Sequence, residues 1–204
     1  MVSAVAELVF GLLVYAVRNF YNGSSGTELK DKKLGIHAYG NVGRNVARIA
    51  KGFGMEVYAF DAYAPAEFIE NDGVKALNSA EELYALCDVV SLHIPATAET
   101  KKSINYALLD KMPKGAVLVN TARKEVIDEA EMVKFMDART DFKYLTDILP
   151  DNHAEMQEKF PTRYFATPKK IGAQTAEANT NAGIAGARQI VGFLLKGEER
   201  FRVN

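Results

Sequence analysis

The sequence contains a single cysteine, no tryptophan, six prolines and no excess of charge of either sign. One cysteine, Cys87, permits neither an internal disulfide nor a thiolate zinc cluster. It fits a reducing compartment such as the cytoplasm. The 25 basic and 26 acidic residues give a formal net charge of −1. Because nucleic acids and anionic membranes attract basic surfaces, we expect neither of them as a partner.

Long apolar runs are also missing. Residues 1–17 carry Glu7 as their only charge, but the unbroken apolar stretch 8–17 is far shorter than the ~20 residues of a membrane span. A signal peptide would need a basic start and a small-residue cleavage site, and neither is present. We interpret residues 2–20 as a buried helix. A helix that is apolar on all sides must be covered, so we expect a homodimer through residues 2–20.

Apolar strand-like segments alternate with helical segments along the rest of the chain. Strands are predicted at 33–39, 55–60, 89–94, 116–120, 142–146 and 164–167, and helices at 41–53, 128–138 and 176–195. A weak helix and a short strand fall between 67 and 77. Ser79, followed by Glu82, opens a further helix as a capping box. This alternation predicts an α/β fold with a doubly wound parallel sheet, flanked by N-terminal and C-terminal helices.

A glycine-rich turn follows the first predicted strand. Residues 34–43 read Leu-Gly-Ile-His-Ala-Tyr-Gly-Asn-Val-Gly, which is G-x-G-x-x-G with Ala38 at the first glycine position. Ala38 suits this position if its φ is negative. Gly40 would let the backbone approach a pyrophosphate, and Gly43 would let helix and strand pack closely. Asp61, directly after the second strand, would accept the ribose hydroxyls.

Strand, turn, helix, strand and acidic residue together predict a Rossmann-type domain that binds a dinucleotide. Asp61 would repel a 2′-phosphate, which favours NAD over NADP. His37, just before the turn, is interpreted as a core residue rather than a catalyst. No cluster of metal ligands is expected.

Four later segments carry a more specific signal: Ser-Leu-His-Ile-Pro at 91–95, Val-Asn-Thr-Ala-Arg at 119–123, Tyr-Leu-Thr-Asp at 144–147 and Ala-Thr-Pro-Lys-Lys-Ile-Gly-Ala-Gln-Thr at 166–175. In this order they resemble the D-isomer-specific 2-hydroxyacid dehydrogenase family, and within it the members that oxidise 3-phosphoglycerate with NAD. The resemblance covers essentially the whole chain. Two alternatives stay open: a reductase of another 2-hydroxyacid, such as hydroxypyruvate or glyoxylate, and a non-catalytic NAD-sensing module like the family's corepressor relatives.

The resemblance implies a role for each matching position. Arg123 would hold the substrate carboxylate and polarise its carbonyl, a task that suits a planar guanidinium. Asn41 and Val42 would offer N–H groups to the pyrophosphate, and Asp147 would bind the nicotinamide carboxamide. The positions implied in cofactor binding are Ala38, Gly40, Asn41, Val42, Gly43, Asp61, His93, Pro95, Thr100, Thr121, Ala122 and Asp147.

Two departures from the family pattern concern the catalytic base. The family has Thr-Pro-His-Ile-Gly, whereas residues 167–172 read Thr-Pro-Lys-Lys-Ile-Gly, so Lys170 takes the place of the histidine. The family's supporting glutamate falls on Asn152. We expect Lys170 to be the base, with its pKa lowered by burial, by Arg123 and by the positive nicotinamide ring. Lys169 as the base, or two solvated loop lysines, are the alternatives.

Three other groups are assigned no chemistry. His153 and Glu155 lie two residues apart on a polar helix, so they should point apart and be solvated. Cys87 is expected to be a buried structural thiol.

Family members normally carry a substrate-binding domain ahead of the matched segment. Residues 1–204 are therefore interpreted as the NAD-binding domain with its interface helix, the substrate-binding domain being largely absent. By itself the chain should bind NAD and turn over substrate weakly or not at all, because only one wall of the cleft is present.

Overall fold

The computed structural model describes residues 2–199, which contain seven strands. Numbered β1 to β7 in chain order, these are Lys33–His37, Glu56–Phe60, Lys75–Ala76, Val89–Leu92, Val117–Asn120, Lys143–Thr146 and Tyr164–Ala166. All of them pair in parallel, in the spatial order β3-β2-β1-β4-β5-β6-β7. The winding reverses between β1 and β4, and the crevice at the carboxyl end of such a switch point is where α/β sheets bind ligands. The predicted doubly wound parallel sheet is confirmed.

Helices cover both faces of this sheet. Numbered α1 to α8, they are Val2–Val17, Asn41–Gly52, Ala66–Glu70, Ala80–Leu86, Tyr106–Leu109, Glu129–Ala138, His153–Lys159 and Ala176–Lys196. The first face packs on α1 and α2, and the opposite face on α4, α5 and α6. The sequence did not indicate α5, because a single turn is too short to show a helical period.

Side-chain caps fix where three of the helices begin. Ser79 Oγ accepts a hydrogen bond from the Glu82 N–H at 3.1 Å and opens α4, as the capping box predicted. Asp128 opens α6 in the same way, and Thr175 opens α8 by accepting from Ala178 N at 3.0 Å. Caps of this kind each contribute about 1 kcal/mol.

The first helix is covered by its own chain. Val9 and Leu13 of α1 are fully buried, Leu12 is 4% exposed, and the Phe10 ring stacks on Phe53 at the end of α2 with centroids 4.9 Å apart. The helix also ends earlier than predicted, at Val17, and a 3-10 turn follows. The homodimer expected through residues 2–20 stays a prediction. Most apolar side chains of α1 are buried within the chain, and those left half-buried are Val2, Ala4, Val5, Leu8, Val14 and Tyr15. Lysine at position 9 or 12 would therefore disrupt the core rather than report on an interface.

The last helix is exposed along most of its length. Only Ala178 and Gly192 of α8 are buried. The apolar side chains of its final turns are largely solvent-facing: Ile190 is 62% exposed, Leu194 71% and Leu195 79%. The large uncovered apolar surface thus belongs to α8 and not to α1.

Within residues 2–199, no helix combines the length and apolar character needed to cross a bilayer. In the same residues, no three His, Cys, Asp or Glu side chains are grouped so that they could hold a metal ion.

Candidate cofactor and catalytic site

The predicted site residues come together at one edge of the sheet. Ala38 follows β1, Asp61 follows β2, His93 follows β4, Asp147 follows β6, and Lys170 lies in the turn after β7. Because all strands are parallel, the loops at their carboxyl ends share this edge. The segment 121–123 follows β5 there as well. Asp61 and Asp147 directly follow strands that were predicted from the sequence, whereas Ala38 and His93 were expected inside strands that the structure ends at His37 and Leu92.

The glycine turn contradicts one sequence expectation. Ala38 has φ +79°, whereas a negative value was expected. Its N–H donates to Phe60 O at 2.8 Å, which ties the turn to the end of β2. A Cβ on Gly43 would lie 2.5 Å from the Ala38 carbonyl oxygen, so only glycine fits position 43. The turn needs a positive φ at position 38 to bring the chain into α2, and alanine adopts it under strain.

Ala38→Gly is expected to raise the free energy of unfolding by up to about 1 kcal/mol. A left-handed backbone costs a non-glycine residue ~1–2 kcal/mol, and the extra entropy of unfolded glycine offsets part of this gain. Urea unfolding of the two proteins measures the difference. Gly43→Ala is the control and should be strongly destabilising. A less stable Ala38→Gly protein would show that the alanine is unstrained.

Gly40 leaves space that the chain itself does not use. Its φ of −77° is open to any residue, and a Cβ there would meet no protein atom within 4 Å. Neither backbone conformation nor internal packing therefore requires glycine. The space lies at the N-terminus of α2, where the N–H groups of Asn41, Val42 and Gly43 have no partner within the helix. Such an open cradle fits a pyrophosphate.

Asp61 is held in place by three backbone donors. Its carboxylate accepts from Tyr39 N at 2.7 Å, Tyr63 N at 2.8 Å and Ala64 N at 2.9 Å. Partial burial acts to raise the pKa of Asp61, but these donors and the nearby His37 outweigh it and lower the pKa. The carboxylate is thus ionised and fixed at neutral pH, as an acceptor for ribose hydroxyls must be.

The loop after β4 is braced internally. Thr100 Oγ1 donates to the Pro95 carbonyl and accepts from Thr97 N. His93 Nε2 is hydrogen-bonded to Ser91 Oγ at 2.9 Å, and burial lowers its pKa to about 3. His93 is therefore neutral and directed at the strand, which agrees with giving it no chemistry.

The end of β5 holds an unsatisfied hydroxyl. Thr121 is 6% exposed, and its Oγ1 has no hydrogen-bond partner among the described residues. Leaving a buried hydroxyl unpaired costs about 1–3 kcal/mol, so a ligand is expected to satisfy it. Together with the open cradle at Gly40, this orphaned group shows that the edge fits a bound cofactor.

Two cationic side chains meet at one carbonyl oxygen. Arg123 Nη1 donates to Ala122 O at 2.8 Å, and Lys170 Nζ lies 3.5 Å from the same oxygen. Partial burial lowers the pKa of Lys170, and the charge of Arg123 lowers it further. Lys169 and Lys170 are both exposed, and it is the Lys170 amine that is hydrogen-bonded to the carbonyl beside Arg123. The geometry thus favours Lys170 over Lys169 as the group that can act beside Arg123.

Asn152 stands at the position of the family's supporting glutamate. Asn152 Nδ2 donates to Glu129 O at 3.2 Å, so this side chain is directed at α6. His153 and Glu155 point apart as predicted, since Glu155 pairs with Lys159 at 2.9 Å. The expected solvation of His153 is wrong, however. Its Nδ1 is hydrogen-bonded to Tyr164 Oη at 2.9 Å in a partly buried position, because Tyr164 on β7 lies directly beneath α7.

Cys87 is fully buried, and burial raises the pKa of its thiol to about 12. This confirms the prediction of a structural thiol, because the reactive thiolate is essentially absent at neutral pH.

Asp147 occupies an unexpected setting. It was expected to bind the nicotinamide carboxamide, but it is fully buried and accepts three hydrogen bonds from the turn after β7. Sequence reasoning missed Thr167 and Gly172 as its partners. The sequence offered one signal for these contacts: a hydroxyl residue, Thr167, precedes the lysine pair and a glycine, Gly172, follows it.

Comparison with known proteins defines the class. Residues 15–169 match the model of the D-isomer specific 2-hydroxyacid dehydrogenase NAD binding domain. The chain belongs to this family and contains its NAD-binding domain.

The chain is also similar to individual members of the family. The chain is 34% identical to D-3-phosphoglycerate dehydrogenase of Haemophilus influenzae, over 98% of this chain and 53% of the relative. It is 31% identical to hydroxypyruvate reductase of Thermotoga maritima, over 89% and 63%. A crystal structure of NAD+-bound 3-phosphoglycerate dehydrogenase of Entamoeba histolytica is similar at 43% identity and a TM-score of 0.90, covering 98% of this chain and 64% of that one. The chain thus spans about half to two thirds of these relatives.

Proposed function

We propose that this chain supplies the NAD-binding part of an enzyme that oxidises D-3-phosphoglycerate at its 2-hydroxyl group. The observation that carries the proposal is the meeting of Arg123 and Lys170 at the Ala122 carbonyl, beside the unsatisfied hydroxyl of Thr121. The relatives named above support the substrate assignment, since two of them are phosphoglycerate dehydrogenases.

We assign cofactor contacts to the residues that line this edge of the sheet. Gly40, Asn41, Val42 and Gly43 would hold the pyrophosphate, and Asp61 the adenosine ribose. The loops after β4 and β5 would line the remainder of the groove through Pro95, Thr100, Thr121 and Ala122, with Ala38 and His93 shaping its floor.

The division of labour follows from charge. Arg123 would bind the substrate carboxylate through its planar guanidinium. Lys170, in its neutral form, would accept the proton of the 2-hydroxyl group, and its lowered pKa makes that form more accessible. Bound NAD would supply the acceptor for the hydride. Asn152 is directed away from Lys170, so the lysine would work without a partner carboxylate there.

A second domain belongs to the proposal. The relatives are longer than the matched part, and we propose that residues 1–204 form one NAD-binding domain that works with a substrate-binding domain. The uncovered apolar end of α8 is the surface on which such a domain would lie.

A homodimer is also proposed, on a narrower surface than the sequence suggested. Within residues 2–20 it would use the exposed Ser3, Glu7, Gly11 and Arg18 together with half-buried apolar side chains such as Leu8 and Tyr15, because the remaining apolar side chains lie in the core. A monomer by light scattering at micromolar concentration would end this idea.

The activity is tested by following NADH formation with D-3-phosphoglycerate and D-glycerate, and NADH consumption with hydroxypyruvate and glyoxylate. Both this chain and the protein with its substrate-binding domain should be assayed. We expect the highest kcat/KM for D-3-phosphoglycerate in the longer protein and little turnover by this chain. Preference for hydroxypyruvate would indicate the reductase, and tight NAD binding without turnover of any substrate would indicate a sensing module.

Asp61→Ser should weaken NAD binding by about tenfold and reduce the preference over NADP, because the ribose loses a charged acceptor and a 2′-phosphate loses a repelling charge. Calorimetric titration with both cofactors measures this. Asp141→Ser is the control, since Asp141 pairs with Arg139 at 2.8 Å between α6 and β6, away from the glycine turn. Equal effects of the two changes would show that Asp61 does not face the ribose.

A further inference from the structure

The Asp147 carboxylate lies at the centre of a closed set of hydrogen bonds. Oδ1 accepts from Thr167 Oγ1 at 2.9 Å and from Ile171 N at 2.9 Å, and Oδ2 accepts from Gly172 N at 2.7 Å. All three donors belong to the turn that joins β7 to α8. One precedes Lys170 along the chain and two follow it, so the lysine is enclosed by the contacts of one carboxylate.

Burial makes this arrangement stiff. Asp147 is 0% exposed, and a carboxylate out of water is stable only where fixed donors replace the water. Hydrogen bonds to a charged group are stronger than those between neutral groups. If the turn relaxed, it would leave a buried charge uncompensated, so the turn is restrained by the cost of that charge.

Gly172 permits the close approach. A Cβ at this position would lie 2.7 Å from Asp147 Oδ2 and 3.4 Å from Val5 Cγ2. A larger residue would therefore push the turn away from the carboxylate. The glycine is required by contact and not by a left-handed backbone.

Lysine has a long flexible stem, so the position of its amine depends on where its Cα is held. We propose that Asp147 is a positioning residue: by fixing the turn on both sides of Lys170, it holds the lysine amine beside the Ala122 carbonyl and Arg123. This inference rests on the proposed function, because it assumes that Lys170 exchanges a proton with the substrate. It gives Asp147 a task within the protein, and the carboxamide contact implied by family resemblance stays a prediction.

The fixation itself can be measured on this chain by hydrogen exchange. In Asp147→Asn, the amides of Ile171 and Gly172 should lose at least tenfold in protection, because each loses a charged acceptor. Thr146→Val is the matched control. It removes a buried hydroxyl at the same strand end that bonds to Ile148 and not to the turn, and it should leave both amides protected. Unchanged protection in Asp147→Asn would overturn the proposal.

The positioning role needs a chemical readout in the catalytically competent protein. Thr167→Val keeps the carboxylate but removes one of its donors, and Gly172→Ala displaces the turn. Each should lower kcat by about 10- to 100-fold, the effect of misplacing a reacting group by roughly 1 Å, with the KM for NAD unchanged. Thr167→Ser should restore kcat.

The pH profile separates positioning from general damage. The charged groups that act on Lys170 are Arg123, Asp147 and Glu125, and none of them is altered in Thr167→Val. As the amine relaxes into water its pKa should rise, so the limb of the kcat profile that reports the base should move to higher pH. A lower kcat with an unmoved limb would show a purely structural role and overturn the proposal. Lost amide protection combined with normal kcat in Lys170→Ala would overturn both the base assignment and the positioning role, whereas NAD titration would still test the cofactor site.

Discussion

Lys170→Ala, in the protein with its substrate-binding domain, is expected to lower kcat by about 10²–10⁴-fold, the range for loss of a general acid/base. The lysine amine lies 3.5 Å from the carbonyl oxygen to which Arg123 also donates a hydrogen bond. NAD affinity should stay unchanged, because neither the glycine turn nor Asp61 contacts this loop. Steady-state kinetics and a cofactor titration give both quantities.

Lys169→Ala is the matched control for that experiment. Lys169 is exposed on the same turn as Lys170, but the amine placed beside Arg123 is that of Lys170, so removing Lys169 should change kcat only mildly. If Lys169→Ala instead causes the large loss and Lys170→Ala the mild one, then Lys169 is the base. In that case Lys169, and not Lys170, corresponds to the family histidine.

Acidification from pH 7.5 to 5 is expected to remove about 2 kcal/mol from the free energy of unfolding for each of two neutral histidines. His37 is 8% exposed, and burial lowers its pKa to about 4, against the opposing charges of Asp61 and Glu81. His93 is shifted in the same direction by burial. The unfolded chain takes up protons below its ordinary pKa near 6.5, whereas the folded chain does not. This contribution to stability is therefore fully present above pH 6.5, is lost progressively as the pH falls below 6.5, and levels off only below the folded values near 4 and 3.

Urea unfolding at a series of pH values above 5, where carboxylates stay ionised, measures this loss. His37→Phe should remove about half of the pH dependence while keeping an aromatic ring beside Tyr84 and Phe60. The variant can be less stable than the wild type at pH 7.5 without affecting the test, because the test compares how the free energy of unfolding changes with pH. A slope equal to that of the wild type would mean that His37 is protonated in the folded protein.

The two terminal helices show which part of the fold the sequence could predict. Apolar patterning identified both α1 and α8 as helices, because 3.6-residue periodicity and caps are local properties. It could not tell what covers them. α1 was assigned a partner subunit, yet α2 covers it within the chain. α8 was predicted as a helix that flanks the sheet, yet its apolar end is exposed. An apolar pattern predicts that a helix is covered, but only the tertiary structure shows which element covers it.

The site divides in the same way. Placement at the strand ends was predictable, because in a parallel sheet every βα loop reaches the same edge. The φ of Ala38 was not, since sequence shows a small residue and hides the backbone conformation forced on it. The partners of Asp147 lay equally out of reach. They depend on how closely the turn after β7 approaches the end of β6, which no spacing along the chain encodes.

The α8 helix also behaves as a lever. It begins at Thr175, three residues past the Gly172 contact with Asp147, and extends over 21 residues, so it is ~30 Å long at 1.5 Å per residue. A tilt of about 10° at its capped end, too small to break one hydrogen bond, would move the far end by roughly 5 Å over that length. Ile190, Leu194 and Leu195 are thus joined by one continuous helix to the turn that holds Lys170. A domain that packed on these side chains and rotated α8 would therefore also move the turn that carries Lys170.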